Sequence, residues 1–168
     1  KYSIIISENI ALLDEREILL LAIDNVFKDI KVVKQRLVDI INNEHQSRKE
    51  QPGLYKYPDH LQEALNSYII LYLLEKIDDL SMLVPYKEYS SCLEFLLNPD
   101  EFDYSSIDID DYMWLNILKQ KEYRDIIIQH RDQLVIEELK LAVERNCANE
   151  EQKKIVYRYI LSEDEIFS

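Results

Sequence analysis

The chain reads as an all-α protein: an irregular helical bundle, or stacked helical hairpins in the manner of a degenerate HEAT or TPR array, with about six to eight helices. Three observations predict this. Gly53 is the only glycine in 168 residues, and the turns that β-hairpins favour are built on Asn-Gly, Asp-Gly or Gly-X. Apolar residues recur at three-to-four spacing almost throughout, the period of a helix with one buried face. Asp or Asn stands three positions ahead of Glu or Gln where several of these stretches begin, the pattern of a capping box. The same shortage of glycine excludes a Rossmann fingerprint, a P-loop and a nucleophile elbow, each of which needs at least two.

Taken in order, Asp14 with Glu17 caps a first amphipathic stretch that puts Leu19, Ile23, Val26, Phe27 and Ile30 on one face. Val33, Leu37, Ile40 and Ile41 continue the period to Arg48 and Lys49, a basic helix end. Nothing at Lys31 breaks the pattern, so one long helix is allowed. Residues 52–58, PGLYKYP, form the clearest connector. Asp59 then caps a helix, with Gln62 in the box position, running to about Met82. Its stretch Tyr68–Leu74 is apolar all round and predicts the most buried element. A helix near Pro85 carries Tyr89, Cys92, Leu93, Leu96 and Leu97 and stops at Asn98-Pro99. Residues 98–111, NPDEFDYSSIDIDD, hold six acids and no base and read as a long loop, with Asp108 capping the next helix. The helical period resumes at Tyr112, runs through Ile127, restarts near Asp132, and breaks at Cys147-Ala148-Asn149. Asn149 with Gln152 opens a last helix before a fraying tail at 163–168.

The length suits a single helical domain over 1–168, one that buries roughly 70% of its unfolded surface. Apolar residues make up 47% of it, which excludes disorder. The 33 acidic residues against 20 basic ones leave a net charge of -13. That charge repels phosphate backbones, and no basic stripe offsets it, so direct nucleic-acid binding is not expected. Cys92 and Cys147 have no cysteine or histidine neighbour at zinc spacing, so neither a disulfide nor a metal is expected, and a reduced, cytoplasmic setting is the default. No apolar run approaches the ~20 residues of a membrane span. The first residue is Lys1, which predicts a piece of a longer polypeptide.

No residue pattern marks a catalytic or cofactor site. His45, His60 and His130 form no HExxH and no Glu-x-x-His, so zinc protease and di-iron chemistry are not supported. Each reads as an ordinary edge residue. His130-Arg131-Asp132 matches the kinase tripeptide without the Gly-rich loop or DFG around it. Asp103, Asp108, Asp110 and Asp111 offer oxygen ligands, but the glycine and spacing of an EF-hand are absent. Twelve tyrosines against four phenylalanines is a bias toward side chains that join contact area to a polar tip, and such residues concentrate at interfaces. The candidate interaction residues are Tyr55 and Tyr57 in the connector, Asp100, Glu101, Phe102, Asp103 and Tyr104 in the acidic loop, and Tyr112 and Trp114 just after it.

The segments NPDEFDY at 98–104, DDYMWL at 110–115 and Tyr123-Arg124-Asp125 resemble the C-terminal all-helical region of large bacterial STAND-type NTPases. That resemblance covers about residues 60–165. It implies a sensing or scaffolding role, with the nucleotide site upstream and no catalytic residue here. The function expected is thus a non-enzymatic helical interaction or sensor module, whose partner is another protein or the rest of its own polypeptide. The alternatives are an enzyme with a carboxylate or histidine pocket, which requires a perturbed carboxylate in a deep cleft, and an acidic nucleic-acid mimic, which requires its acids in rows.

Overall fold

A computed structural model describes residues 2–53, 58–109, 111–145 and 150–161, apart from the side chains of Tyr2, Ser3 and Gln152. Among the described residues the regular structure is entirely helical, with nine α-helices, five 3-10 segments and no strand. The protein is all-α. The chain packs as two compact units, the first closing at Leu93 and the second opening at Glu94.

In the first unit, α1 (Tyr2–Glu8) leads through a 3-10 turn at Ile10–Leu12 into α2 (Glu15–Ile23). The capping box at the start of α2 is complete: Asp14 Oδ1 accepts from the Glu17 amide at 2.8 Å, and Glu17 Oε2 accepts from the Asp14 amide at 3.0 Å. Helix α2 does not run on into α3 (Ile30–Glu50). Asn25 adopts φ 56°, the amide of Val26 donates to Leu21 O, and that of Asn25 donates to Ala22 O. This is a Schellman ending, and it needs a left-handed residue. A new cap then starts α3, where Asp29 accepts from the Lys31 amide. The break also resets the helical phase. The buried face of α2 is Glu15, Ile18 and Ala22, and Ile23 turns outward. Val26 and Phe27 belong to the link, and Ile30 opens α3. Helix α3 buries Val33, Leu37, Ile40 and Ile41, the face its period predicts.

Helix α4 (His60–Leu73) is packed by both α2 and α3. Nine of its fourteen residues are buried, including Asn66 and Ser67, which more exposed helices would leave to solvent. Asp59 caps it by accepting from the Gln62 amide at 3.0 Å. The Gln62 side chain turns to Asn66 Oδ1 instead of closing a box. The Arg48 guanidinium also donates to Asp59 Oδ1, which ties the end of α3 to the beginning of α4. Burial leaves the Tyr68 hydroxyl satisfied, since it donates to Asp79 O at 2.9 Å. Burial first, and then the nearby Asp79 and Asp78 charges, hold its pKa above the usual tyrosine range. The helix stops at Leu73, short of Met82, because Glu75 takes φ 57° and repeats the Schellman pattern of α2, with Lys76 N–H to Leu71 O and Glu75 N–H to Tyr72 O. Beyond this ending Ile77, Leu80 and Leu83 are also buried, the last of them within the 3-10 stretch Ser81–Tyr89.

Helix α5 (Ser91–Leu97) carries the boundary into the second unit. Residues 98–109 are not an open loop. They fold into 3-10 turns at Pro99–Glu101 and Tyr104–Ser106. Asp111, not Asp108, caps α6 (Tyr112–Lys119), with its carboxylate accepting from the Met113 amide at 2.9 Å. Extended backbone at Gln120 separates α6 from α7 (Lys121–Gln129). After a turn at Arg131–Gln133 come α8 (Ile136–Arg145) and α9 (Glu150–Tyr159). Cys147, the Asn149 cap expected for the last helix, its Gln152 side chain and the tail at 163–168 lie outside the described residues. The core of this unit is built on Phe95, Phe102, Tyr104 and Trp114, all buried.

Leu65 and Ile69 are fully buried in α4, so Leu65→Ala and Ile69→Ala are each expected to cost about 2–5 kcal/mol. Leu20→Ala, on the outward side of α2, is expected to stay within about 0.5 kcal/mol of the parent. Urea unfolding of the three variants checks this.

Candidate functional site

The first unit has an open cleft of about 360 Å³ at the entrance to α2, and the residues around it include Leu12, Asp14, Glu15, Arg36, Glu44 and His60. At its floor a hydrogen-bonded pair joins two helix starts. Glu15 is the first residue of α2 and His60 the first of α4, and His60 Nδ1 lies 2.6 Å from Glu15 Oε1. The Glu15 side chain is only 7% exposed. A carboxylate that far from water needs a hydrogen-bonded cation or a strong donor, or its desolvation is not offset. His60 supplies it. The hydrogen bond His60 donates to Glu15 raises the His60 pKa above its ordinary value against a smaller opposing effect of burial, with the charges of Glu15, Glu44 and Asp14 adding in the same direction. With Nδ1 committed to Glu15, Nε2 is the nitrogen left for a second partner. The pair also locks α2 to α4, together with the Ser67 hydroxyl, which donates to Glu15 O.

Arg36 flanks the cleft but is committed to the fold, because Nη2 donates to Ala11 O at 3.2 Å and holds the 3-10 turn against α3. Its Nε is enclosed without a hydrogen-bond partner. Leu12 stands at the rim of the cleft, 81% exposed. It belongs to a larger group. Of the eleven large hydrophobic side chains exposed among the described residues, five fall between positions 4 and 23: Ile4, Ile5, Leu12, Leu20 and Ile23. Single exposed leucines need no explanation, whereas their concentration in one short segment does.

Tyr112 apart, the residues singled out from the sequence separate into three groups. Tyr55 and Tyr57 lie outside the described residues. Asp100, Glu101 and Asp103 are exposed. Phe102, Tyr104 and Trp114 are inside the second unit around Phe95, with ring centroids 5.5, 6.1 and 5.6 Å from it. These rings cover a core and offer no surface to a partner. The Tyr104 hydroxyl donates to Pro99 O at 2.7 Å, and its ring stacks on His130 at 4.1 Å. Burial, and then the Asp100 charge, raise the Tyr104 pKa. His130, the first residue of the kinase-like tripeptide, is thus a packing partner whose Nδ1 faces Ile126 O. Asp103 accepts from the Ser105 amide and hydroxyl, which shapes the second 3-10 turn. Tyr112 is half exposed on the first turn of α6.

A second cavity, about 590 Å³, lies within the second unit between residues 105–109 and α8, with Asp108, Glu138 and Arg145 on its walls. Among the described residues no group of three or more His, Cys, Asp or Glu side chains is placed to hold a metal ion. No helix among them is long and apolar enough to cross a membrane.

Compared with protein-family models, curated proteins and solved structures, the chain shows no match.

Two predictions test these geometries. The His60 imidazole should titrate above 6.5 by NMR, and Glu15→Gln should bring its midpoint down. Because the folded pKa lies above the unfolded one, the stability from this pair is fully present below about pH 6.5 and is lost as pH rises through the folded value. The parent should therefore lose denaturant resistance relative to Glu15→Gln as pH rises above about 6.5. In the second unit, Tyr104→Ala should cost about 3 kcal/mol or more in thermal unfolding. Asp100→Lys, at an exposed position, should move stability by no more than about 0.5 kcal/mol.

Proposed function

We propose that this chain is a non-enzymatic helical interaction module that engages a protein partner, or another part of its own polypeptide, through residues 4–23 of the first unit. The observation that carries this reading is the run of exposed aliphatic side chains there, with Leu12 the most exposed at the edge of a cleft. Exposing that much apolar surface in one segment is unfavourable in water, and covering it by a partner recovers roughly 25 cal/mol per Å² before association costs. The acidic loop has no part in this reading: Asp100, Glu101 and Asp103 are exposed in the other unit, and Phe102, Tyr104 and Trp114 are taken by its core. The resemblance of about residues 60–165 to the helical region of STAND-type NTPases supports a place for the module as a sensor or scaffold in a larger protein.

The Glu15–His60 pair favours a second reading, an enzyme in which Glu15 fixes the tautomer of His60 as general base. Among the described residues around the cleft there is no serine, threonine, cysteine, lysine or tyrosine. Such an enzyme would have to activate water. The pair already has a structural task in joining two helix starts, so the module is the better reading.

Site-specific photo-crosslinking in the native cell separates these ideas. A photoreactive residue at Leu12 or Leu20 is expected to trap one defined polypeptide, identified by mass spectrometry and then shown to bind as a purified protein. The same residue at Val84, an exposed position elsewhere in the unit, should not trap it. Indistinguishable products at all three positions would remove residues 4–23 as an interface.

A further inference from the structure

The partner's chemistry can be read from what surrounds the exposed aliphatic side chains, and this step rests on the interaction reading above. Between residues 4 and 27 the acids are Glu8, Asp14, Glu15, Glu17 and Asp24, and the only base is Arg16. Glu44 is brought to the same cleft from α3. Leu12 and the carboxylates of Asp14 and Glu44 line one cavity, and both carboxylates act through space on His60 at its floor. Arg36 also lines the cleft, with Nη2 on Ala11 O, so three carboxylates there face one guanidinium and one imidazole.

We propose that the cleft, with Leu12 at its rim, docks a basic amphipathic segment of a partner protein. A leucine-like residue of that segment rests on Leu12, and a lysine or arginine enters the cleft between Asp14 and Glu44. The long stems of lysine and arginine suit such a place, because their methylenes pack on apolar surface while the charged head reaches the carboxylates. Three other occupants are disfavoured. A second copy of the chain brings a net charge of -13 toward a net charge of -13, and like-charge juxtaposition opposes association. An anionic membrane surface or a nucleic acid meets the same repulsion. A neutral or acidic segment would cover Leu12 and leave the excess of carboxylates in the cleft, Asp14, Glu15 and Glu44 against Arg36 and His60, unbalanced. Contacts of this kind also speed encounter, so the association rate should fall as salt rises.

The test uses the full chain and three synthetic helical peptides titrated by calorimetry near 0.1 M salt, where charges more than about 10 Å apart are largely screened. The first peptide has leucines on one face and lysines on the other. The second replaces the lysines by glutamates, and the third replaces the leucines by serines. The leucine–lysine peptide should bind the parent, and the other two should not. Leu12→Ser and Glu44→Gln should each weaken that binding about fivefold or more, the effect of losing an interface residue worth at least ~1 kcal/mol. Glu101→Gln removes the same charge from an exposed site in the other unit and should change it less than about twofold. None of these side chains packs in a core, so thermal unfolding should be unchanged, and a variant that does unfold is replaced by Leu12→Ala or Glu44→Ala at the same position.

Equal effects of Glu44→Gln and Glu101→Gln, with none from Leu12→Ser, would mean the peptide is held by net charge alone, and would overturn the proposal. Binding of the leucine–glutamate peptide that depends on Leu12 would overturn the basic partner while leaving the interaction module intact. Leu12-dependent dimerisation in sedimentation, or Leu12-dependent binding to neutral phosphatidylcholine vesicles, would assign the surface to a second copy or a lipid and overturn it as well. Failure of the crosslinking experiment at Leu12 and Leu20 would instead strike at the interaction reading itself.

Discussion

Helix α4 has almost no side to give to water, and the first unit is arranged around that constraint. Nine of its residues are buried, so other elements have to cover it, and α2 and α3 do. Each polar group drawn inside with it must then find a partner. The Tyr68 hydroxyl reaches Asp79 O, Ser67 reaches Glu15 O, and Asn66 receives Gln62. The beginning of the helix is held from two directions, by Arg48 on the Asp59 cap and by Glu15 on His60. The cleft is a by-product of this arrangement. Two helix starts that must meet over a buried carboxylate leave an open notch above it, and the turn holding Leu12 forms one edge of that notch.

The second unit solves the same problem with rings. Phe95 is surrounded by Phe102, Tyr104, Trp114 and Tyr123 in edge or tilted contacts, the geometries that aromatic quadrupoles favour. This accounts for the acidic stretch beside it. A segment that alternates apolar and acidic residues can bury Phe102, Tyr104 and Ile109 while leaving Asp100, Glu101 and Asp103 in solvent. Its alternation records an inside and an outside in a chain of short 3-10 turns.

Much of this was legible in the order of residues, and the gaps have physical causes. The caps at Asp14 and Asp59 are readable because they join residues three apart. The buried face of α3 is readable because one phase runs through the whole helix. The face of α2 was misplaced because its apolar period was extended past Ile23, where the backbone turns left-handed and the phase begins anew. A left-handed asparagine or glutamate leaves no mark of the kind a glycine would. Asp108 and Asp111 are both acceptable caps in sequence, and only the turn from Asp108 O to the Asp111 amide decides between them. The Glu15–His60 pair was invisible because it joins positions 45 apart. Each residue was noticeable in its own setting, directly after a recognised cap, yet nothing local says that the two helix starts meet.

The left-handed endings of α2 and α4 have a further consequence, which lies in the unfolded chain. Most proteins place glycine at such positions because it avoids the steric cost of about 1 kcal/mol or more. Here Asn25 and Glu75 accept that cost, and Lys76 Nζ, 2.5 Å from Asn25 Oδ1, connects one helix ending to the other. A side chain at these places narrows the conformations open to the denatured backbone, so less entropy is lost when the chain folds. Extended over a sequence with a single glycine, the same trade favours a denatured ensemble with fewer accessible backbone states. Reduced freedom in the denatured state thus offsets part of the local strain in the native state, so the net cost of these endings is set by the disordered chain as well as by the folded one.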